Sequence, residues 1–250
     1  MRVRVIIPHL NQEEALRACL ASLHAQEGVS ELDVAFIVVD NGSHRLPEAV
    51  CADWNDVTLA SEAEPGPGPA RNRGVALADG DILAFIDADC TAAPGWIAAL
   101  TGALSRGDAP IVGGDVRVGY VDPSAPTALE AYENIYAYRN RQYIEREGYS
   151  GTGNLATFPS VMADVGPFAG IHVPEDWDWG QRAGTKGYRI AYVSDMIIYH
   201  PARTTFEELT RKWDRHIAHA YERNPPTGIA SLRWLARAVV LAVSPLAELP

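Results

Sequence analysis

Short β-rich runs alternate with helical segments four times within the first ninety residues, and this alternation constrains the fold more than any other feature. Residues 3–7 are β-rich and stop at Pro8; residues 34–39, 57–59 and 82–86 repeat the pattern. Between the first two runs, Ala15, Leu16, Cys19, Leu20 and Leu23 recur at helical spacing. They predict a helix with one buried face, capped by Asn11 and running to about residue 25. A Gly/Pro loop over residues 64–74 leads into a second helix over 70–78. Strands interleaved with helices in this way build βαβ units around a parallel sheet.

The last of the four runs carries the chemistry. Residues 82–86 are apolar without a break, as suits a strand covered on both faces. The run ends in Asp87-Ala88-Asp89. Two carboxylates at the mouth of a buried strand repel each other and resist desolvation unless a cation or donor compensates. The D-x-D spacing alone decides little, because it also occurs at Asp79/Asp81 and Asp176/Asp178. Only the middle pair directly follows a strand-like run, and open α/β sheets bind ligands at the carboxyl ends of their strands. The competing reading is a solvated turn in which Asp89 or Thr91 caps a helix near Pro94.

Composition excludes several classes. With 250 residues, 47% of them hydrophobic and 21% charged, the chain can bury the core of one large domain or two fused halves. Its formal net charge of −11 argues against a general nucleic-acid binder. Residues 1–199 carry 14 Lys and Arg against 27 Asp and Glu, net −13, whereas residues 200–250 carry 7 against 5, net +2. The acidic part therefore needs metal ions or local basic groups to hold an anion. Cys19, Cys51 and Cys90 are widely spaced, which fits a reducing cytosol and gives no zinc signature. The N-terminal apolar run is too short for a signal peptide, and no stretch reaches the length of a membrane span. Neither G-x-G-x-x-G after the first strand nor a P-loop motif occurs, which disfavours a Rossmann dehydrogenase and excludes a P-loop enzyme.

Further along, the pattern predicts a helix from Trp96 to about Leu104, a strand over 110–118 and a long helix over 128–147. That helix bears Tyr132, Tyr136, Tyr138 and Tyr143, readable as packing aromatics or as a sugar-stacking platform. A glycine-bearing segment at 150–158, an acidic Glu175-Asp176 pair opening a helical stretch to 187, and a strand pair over 188–200 follow.

Taken in order, VIIPHLNQEEALRACLASL, VVDNGS, GPARNRGVALADGDILAFIDADC, GTGNLATF, DVGPF, EDWDW and a late strand ending in His200 resemble the family 2 glycosyltransferases. The resemblance spans about residues 3–220. It implies a GT-A fold, a Rossmann-like, mostly parallel central sheet flanked by helices. Residues 1–119 would bind the nucleotide sugar, a fused half over 120–220 the acceptor, and 221–250 would form a C-terminal helical tail. The implied reaction moves one sugar, with inversion, from a nucleoside diphosphate sugar to an acceptor hydroxyl. The departing diphosphate is already a stable anion, so such a reaction needs charge neutralisation and one base, unlike a glycosidase with its paired acid and base or nucleophile.

By the same resemblance Asp89 binds Mn²⁺ or Mg²⁺, with His200 as a metal or diphosphate contact; hard oxygen ligands suit these ions. A structural histidine is the alternative at 200. Asp87 would hold the ribose or an adjacent arginine, and Pro8 and Asn11 would line the donor mouth. Asp40 would hydrogen-bond the base, with UDP favoured over GDP or dTDP, or else close an Asx turn in its own loop. Arg71 would meet phosphate at a helix N-terminus, and Gly153 and Asn154 would bring backbone close to the donor sugar. Asp176 is the implied general base, with Glu175 orienting the acceptor or loop; Trp177 and Trp179 would form a partly dry wall that raises its basicity.

Two departures narrow the carry-over. The basic pair common after the G-x-N-x-A-F segment is replaced by Thr157-Phe158-Pro159-Ser160. The Gln-x-x-Arg-Trp signature of processive synthases is absent, which favours transfer of a single sugar. Residues 229–249 carry a helical apolar stripe beside Arg233 and Arg237, suited to an anionic membrane, to the catalytic domain or to a second subunit in a homodimer. Such a tail would place a cytoplasmic protein at the membrane's inner face, near a saccharide or lipid-linked acceptor. The pattern stops in mid-run at Pro250, so a natural extension beyond it is expected. Surface polysaccharide or glycolipid synthesis is the implied setting; a sugar nucleotidyltransferase and a non-catalytic sugar-nucleotide binder are the alternatives.

Overall fold

A computed structural model describes residues 1–223, 231–232, 235–236 and 238–240. The chain divides into two compact units, Met1–Ala202 and Arg203–Pro250. The division falls ahead of the boundary at residue 220 read from the sequence.

The first unit opens with the expected alternation: β1 (Arg2–His9), α1 (Glu13–His24), β2 (Asp33–Asp40), α2 (Glu48–Cys51), β3 (Val57–Ser61), α3 (Pro67–Leu77) and β4 (Ile82–Ile86). A two-residue strand, β5 (Thr91–Ala92), precedes α4 (Trp96–Arg106) and β6 (Ile111–Gly119). Next come α5 (Ala128–Tyr136), α6 (Asn140–Gln142) and a π-helical turn at Tyr143–Glu147. The unit closes with β7 (Asn154–Thr157), α7 (Pro159–Val165), α8 (Glu175–Thr185) and β8 (Ile190–Pro201).

Among the described residues these strands form one eight-stranded sheet in the order β3-β2-β1-β4-β7-β6-β8-β5. β3, β2, β1 and β4 are parallel, as the alternation requires. β7 runs antiparallel to both β4 and β6, and β6 and β8 are parallel again, so the second half of the sheet is mixed. The chain leaves β1 toward β2 on one side, while β4 lies on the other. Open α/β sheets usually hold their ligands at such a reversal, which here falls at the carboxyl ends of β1 and β4.

All five residues of β4 are buried, its alternate side chains feeding two separate cores. Ile82, Ala84 and Ile86 pack with α1 and α4; Leu83 and Phe85 pack with α7, Phe168 and Trp179. Each large side chain so buried contributes about 1.5–3 kcal/mol. Gly74 lets α3 lie close on β1, because a Cβ there would overlap Ile6.

Four local expectations change. Asn11 does not cap α1: its backbone is left-handed (φ 54°), and its Oδ1 accepts from the His44 N–H instead. The helix expected over 128–147 breaks at Ala137–Arg139, where Tyr138 has φ 50°. The strand pair over 188–200 is one long strand with a bulge. Val193 pairs with Gly114 and Ile197 with Asp115, leaving residues 194–196 looped out. Neither Asp89 nor Thr91 caps α4, whose N-cap is Gly95.

The second unit contains α9 (Phe206–Arg223). Its start is tied by a reciprocal cap: Thr205 Oγ1 accepts from the Glu208 N–H, and Glu208 Oε2 accepts from the Thr205 N–H. Within the stripe expected over 229–249, Leu232, Leu235, Val239 and Val240 are exposed. Arg233, Arg237 and most of the remaining stripe lie outside the described residues. Among the described residues, no helix is long and apolar enough to cross a membrane.

Candidate active site

The chain emerges from β4 at Asp87, whose Oδ1 accepts a 2.6 Å bond from Arg71 Nη2. The other terminal nitrogen, Nη1, donates to Glu175 Oε1 at 2.8 Å. Arg71 thus bridges the D-x-D turn and the start of α8, which lie 88 positions apart. Its side chain is 4% exposed. Burial opposes the guanidinium charge, but the Asp87 and Glu175 carboxylates outweigh it and leave the group more firmly protonated. Removing either carboxylate would leave the buried guanidinium with one partner fewer and should destabilise the fold. Gly153 completes the arrangement from β7's side, since a Cβ there would overlap the Asp87 carboxylate.

Asp89 has different partners. Its Oδ2 lies 3.6 Å from His200 Nε2, and Gln12 Nε2 donates to the same oxygen at 3.4 Å. The short β5 explains this meeting: Thr91 pairs with Tyr199 and Ala92 with Ile198, laying the D-x-D turn beside the end of β8. His200 Nδ1 is 2.8 Å from the Pro201 carbonyl and 2.8 Å from the Tyr138 hydroxyl. A carbonyl only accepts, so the proton belongs on Nδ1 and, in the neutral ring, the Nε2 lone pair faces Asp89. A lone pair facing a carboxylate oxygen is an arrangement that a cation completes.

Asp89, Cys90 and His200 offer ligand atoms within 4.8 Å of one another. Burial, then Asp87 and Asp89, push the Cys90 thiol well above its ordinary value, and Sγ donates toward Asp89 Oδ1 at 3.7 Å. Cys90 is therefore a protonated neighbour, while Asp89 and His200 form an oxygen and imidazole set that fits Mn²⁺ or Mg²⁺ with substrate oxygens in the remaining positions.

The third part is the first turn of α8, where Glu175, Asp176 and Asp178 favour the positive end of the helix dipole. The Asp176 carboxyl is pushed up to about 6, first by burial and then by the neighbouring Glu175; the Trp177 N–H, donating to Oδ1 at 2.7 Å, limits the rise. Asp178 is paired with Arg182 at 2.9 Å and lies outside this chemistry. Trp179 is a core residue beneath the helix, its Nε1 donating to the Gly166 carbonyl.

The family model for glycosyl transferase family 2 matches residues 4–178. The chain belongs to this family. Glycosyltransferase AglE of Haloferax volcanii is 33% identical over 217 residues, covering 84% of this chain and 70% of that protein. The pre-mycofactocin glycosyltransferase of Mycobacterium tuberculosis is 28% identical over 217 residues, covering 82% of this chain and 44% of its own. Two solved structures share the fold. Mannosyltransferase PcManGT from Pyrobaculum calidifontis, in complex with GDP-Man and Mn²⁺, has a TM-score of 0.64 at 19% identity, over 92% of this chain and 66% of that one. S. aureus TarS 1–349 in complex with UDP-GlcNAc has a TM-score of 0.60 at 17% identity, over 82% and 60%. The sheet and helices are thus those of a GT-A glycosyltransferase.

Within this family 2 domain, several residues occupy places other than those expected. Asn154 is fully buried: Oδ1 accepts from Trp96 Nε1, and Nδ2 donates to the carbonyls of Asp115 and Met196. Its side chain ties the β8 bulge to β6. Arg71 bonds to two carboxylates, Asp87 and Glu175. Asp87 holds this adjacent arginine, one of its two expected partners. Gly153 gives its space to Asp87. Asp40 is buried, accepting from His9 Nδ1 and from the N–H groups of Gly42 and Ser43, the Asx-turn alternative. Those hydrogen bonds hold its carboxyl below the usual range although burial opposes them. Pro8 is half-buried near the end of β1, level with Val39, and Asn11 is exposed beside the DNGS loop.

Sequence reading missed His9, Gln12 and the particular role of Tyr138. His9 joins Asp40 to the first loop, with Nε2 accepting from the Gln12 N–H at 3.1 Å. Their signal was only adjacency to Pro8 and Asn11. Tyr138 stood among four tyrosines, and nothing in the spacing separates it from the rest.

Proposed function

We propose that this domain transfers a single sugar, with inversion, from a nucleoside diphosphate sugar to an acceptor hydroxyl, with Asp176 as the base and Asp89 and His200 as ligands of a divalent cation. One observation carries the reading: Arg71 joins the carboxylate turn of Asp87 and Asp89 to Glu175, immediately before a carboxylate whose basicity is raised. Donor end and acceptor end are thereby held by a single buried guanidinium.

A bound Mn²⁺ or Mg²⁺ would neutralise charge on the departing diphosphate. The chain supplies the rest. Asp176, pushed up to about 6, is ionised at neutral pH yet more basic than an ordinary aspartate, so it can take the acceptor hydroxyl's proton as the new bond forms. Glu175 stays near that carboxylate and keeps Arg71 in place. Tyr138 fixes the ring of His200 through Nδ1. The half-buried Pro8 and the exposed Asn11 flank the mouth where the base would enter, above the loop that Asp40 braces.

UDP-GlcNAc in one structural neighbour and GDP-Man in another support a nucleoside diphosphate sugar as the donor class. We keep UDP as the first candidate and surface glycan or glycolipid assembly as the setting. The test uses donor binding and transfer together. Asp176→Asn is expected to bind UDP or GDP with Mn²⁺ as the wild type does while losing transfer; a variant that turns over normally removes Asp176 as the base.

A further inference from the structure

An open cavity of about 420 Å³ is lined in part by Asp115, Tyr138, Arg139, Arg141, Glu145 and Arg146. No step of the reaction above uses it. The cavity lies where the pattern over 128–147 predicts unbroken helix. The chain instead ends α5 at Tyr136, turns left-handed at Tyr138 and resumes as α6 and the π-helical turn. Left-handed backbone at a bulky residue costs about 1–3 kcal/mol and persists where neighbouring contacts fix it. Here the Tyr138 hydroxyl bonds to His200 Nδ1 at 2.8 Å, so a residue lining the cavity also holds the ring of a proposed cation ligand. Asn140 holds that wall from behind, donating to the Gly114 carbonyl at 2.6 Å and accepting from the Gly151 N–H at 2.9 Å.

The charges lining the cavity do not cancel. Asp115 is paired with Arg117 at 2.7 Å, and Glu145 with Arg141 at 2.8 Å. Arg139 and Arg146 have no carboxylate partner among the described residues; Arg139 lies 5.8 Å from the Tyr136 ring centre. Two unneutralised guanidinium groups therefore face a cavity within a stretch, residues 1–199, that is otherwise strongly acidic. The planar donor fork of arginine matches phosphate oxygens two at a time.

We propose that this cavity is an acceptor subsite for a phosphate group, held by Arg139 and Arg146, so that the molecule receiving the sugar is a phosphorylated saccharide or a phosphate-linked lipid. This rests on the transferase reading, because the cavity is tied to the proposed cation ligands only through the Tyr138–His200 contact.

The experiment uses the full chain in Mn²⁺ with UDP and, in parallel, GDP, so that the nucleotide position is filled first. sn-Glycerol 3-phosphate and glycerol are then titrated by calorimetry, and sedimentation with phosphatidylglycerol or phosphatidylcholine vesicles is followed. The wild type is expected to bind glycerol 3-phosphate but not glycerol, or to sediment with phosphatidylglycerol but not phosphatidylcholine. The first result identifies a soluble phosphate acceptor and the second a lipid one; either supports the subsite. Arg139→Gln with Arg146→Gln should weaken that binding at least about tenfold with an unchanged thermal midpoint, both side chains being exposed. The corresponding double lysine variant, which keeps the charge but not the fork, should bind more tightly than the double glutamine variant and more weakly than the wild type. Equal binding by the double glutamine variant and the wild type overturns the proposal, as does the absence of any phosphate preference in both arms while nucleotide is bound. Failure of UDP and GDP to bind the wild type overturns the transferase reading, and the subsite with it.

Discussion

At the scale of single residues, Asp176 links stability to chemistry. Its carboxyl is raised from 3.8 to about 6, so between those values the folded protein holds a proton that the unfolded chain has released. The corresponding stabilisation is fully present below the unfolded value near 3.8 and is lost as pH rises through about 6. Activity runs the other way: as a base, Asp176 works only when ionised, so kcat/KM should climb through about pH 6 and level off above it. Asp176→Asn should therefore lower turnover about 10²–10⁴-fold. It should also raise stability at pH 8 by on the order of 1–3 kcal/mol, read from denaturant midpoints. Tyr138 acts one contact away from the cation ligands. Tyr138→Phe removes the hydroxyl at His200 Nδ1 and should weaken Mn²⁺ binding about tenfold by calorimetry, with nucleotide affinity in metal-free buffer unchanged.

At the scale of elements, β7 governs the site through packing rather than contact with substrate. Asn154→Ala leaves Trp96 Nε1 and the Asp115 and Met196 carbonyls without their partner, and should cost about 2–4 kcal/mol in chemical denaturation. Gly153→Ala drives a methyl into the Asp87 carboxylate; it should release Arg71 from that carboxylate and reduce Mn²⁺-dependent nucleotide affinity at least tenfold. Here the sequence was informative only in part. The parallel strands β1 to β4 were legible because each is a compact apolar run followed by helical spacing. Asn154 was not, because a polar residue beside two glycines reads as surface until the strands that bury it are paired. The break at Tyr138 was equally hidden, since residues 128–147 contain neither Pro nor Gly to mark it.

For the molecule as a whole, the D-x-D turn and the Glu175-Asp176 pair were legible as chemistry, but their physical link was not. Arg71 looked like a phosphate ligand because it follows a Gly/Pro loop; only the fold shows two carboxylates converging on it. A pairing across 104 positions leaves no local signal, whereas the apolar spacing of a helix does. The mixed half of the sheet was concealed for the same reason, as β5 is two residues long and β8 crosses a bulge. That half nonetheless brings His200 to Asp89, and the account stands on this meeting. The direct test is calorimetric titration of UDP and GDP into the wild type and Asp89→Ala, each with and without Mn²⁺. The account predicts that wild-type affinity for at least one nucleotide rises on adding Mn²⁺ and that Asp89→Ala shows no such rise. The same Mn²⁺-dependent gain in both proteins would contradict it.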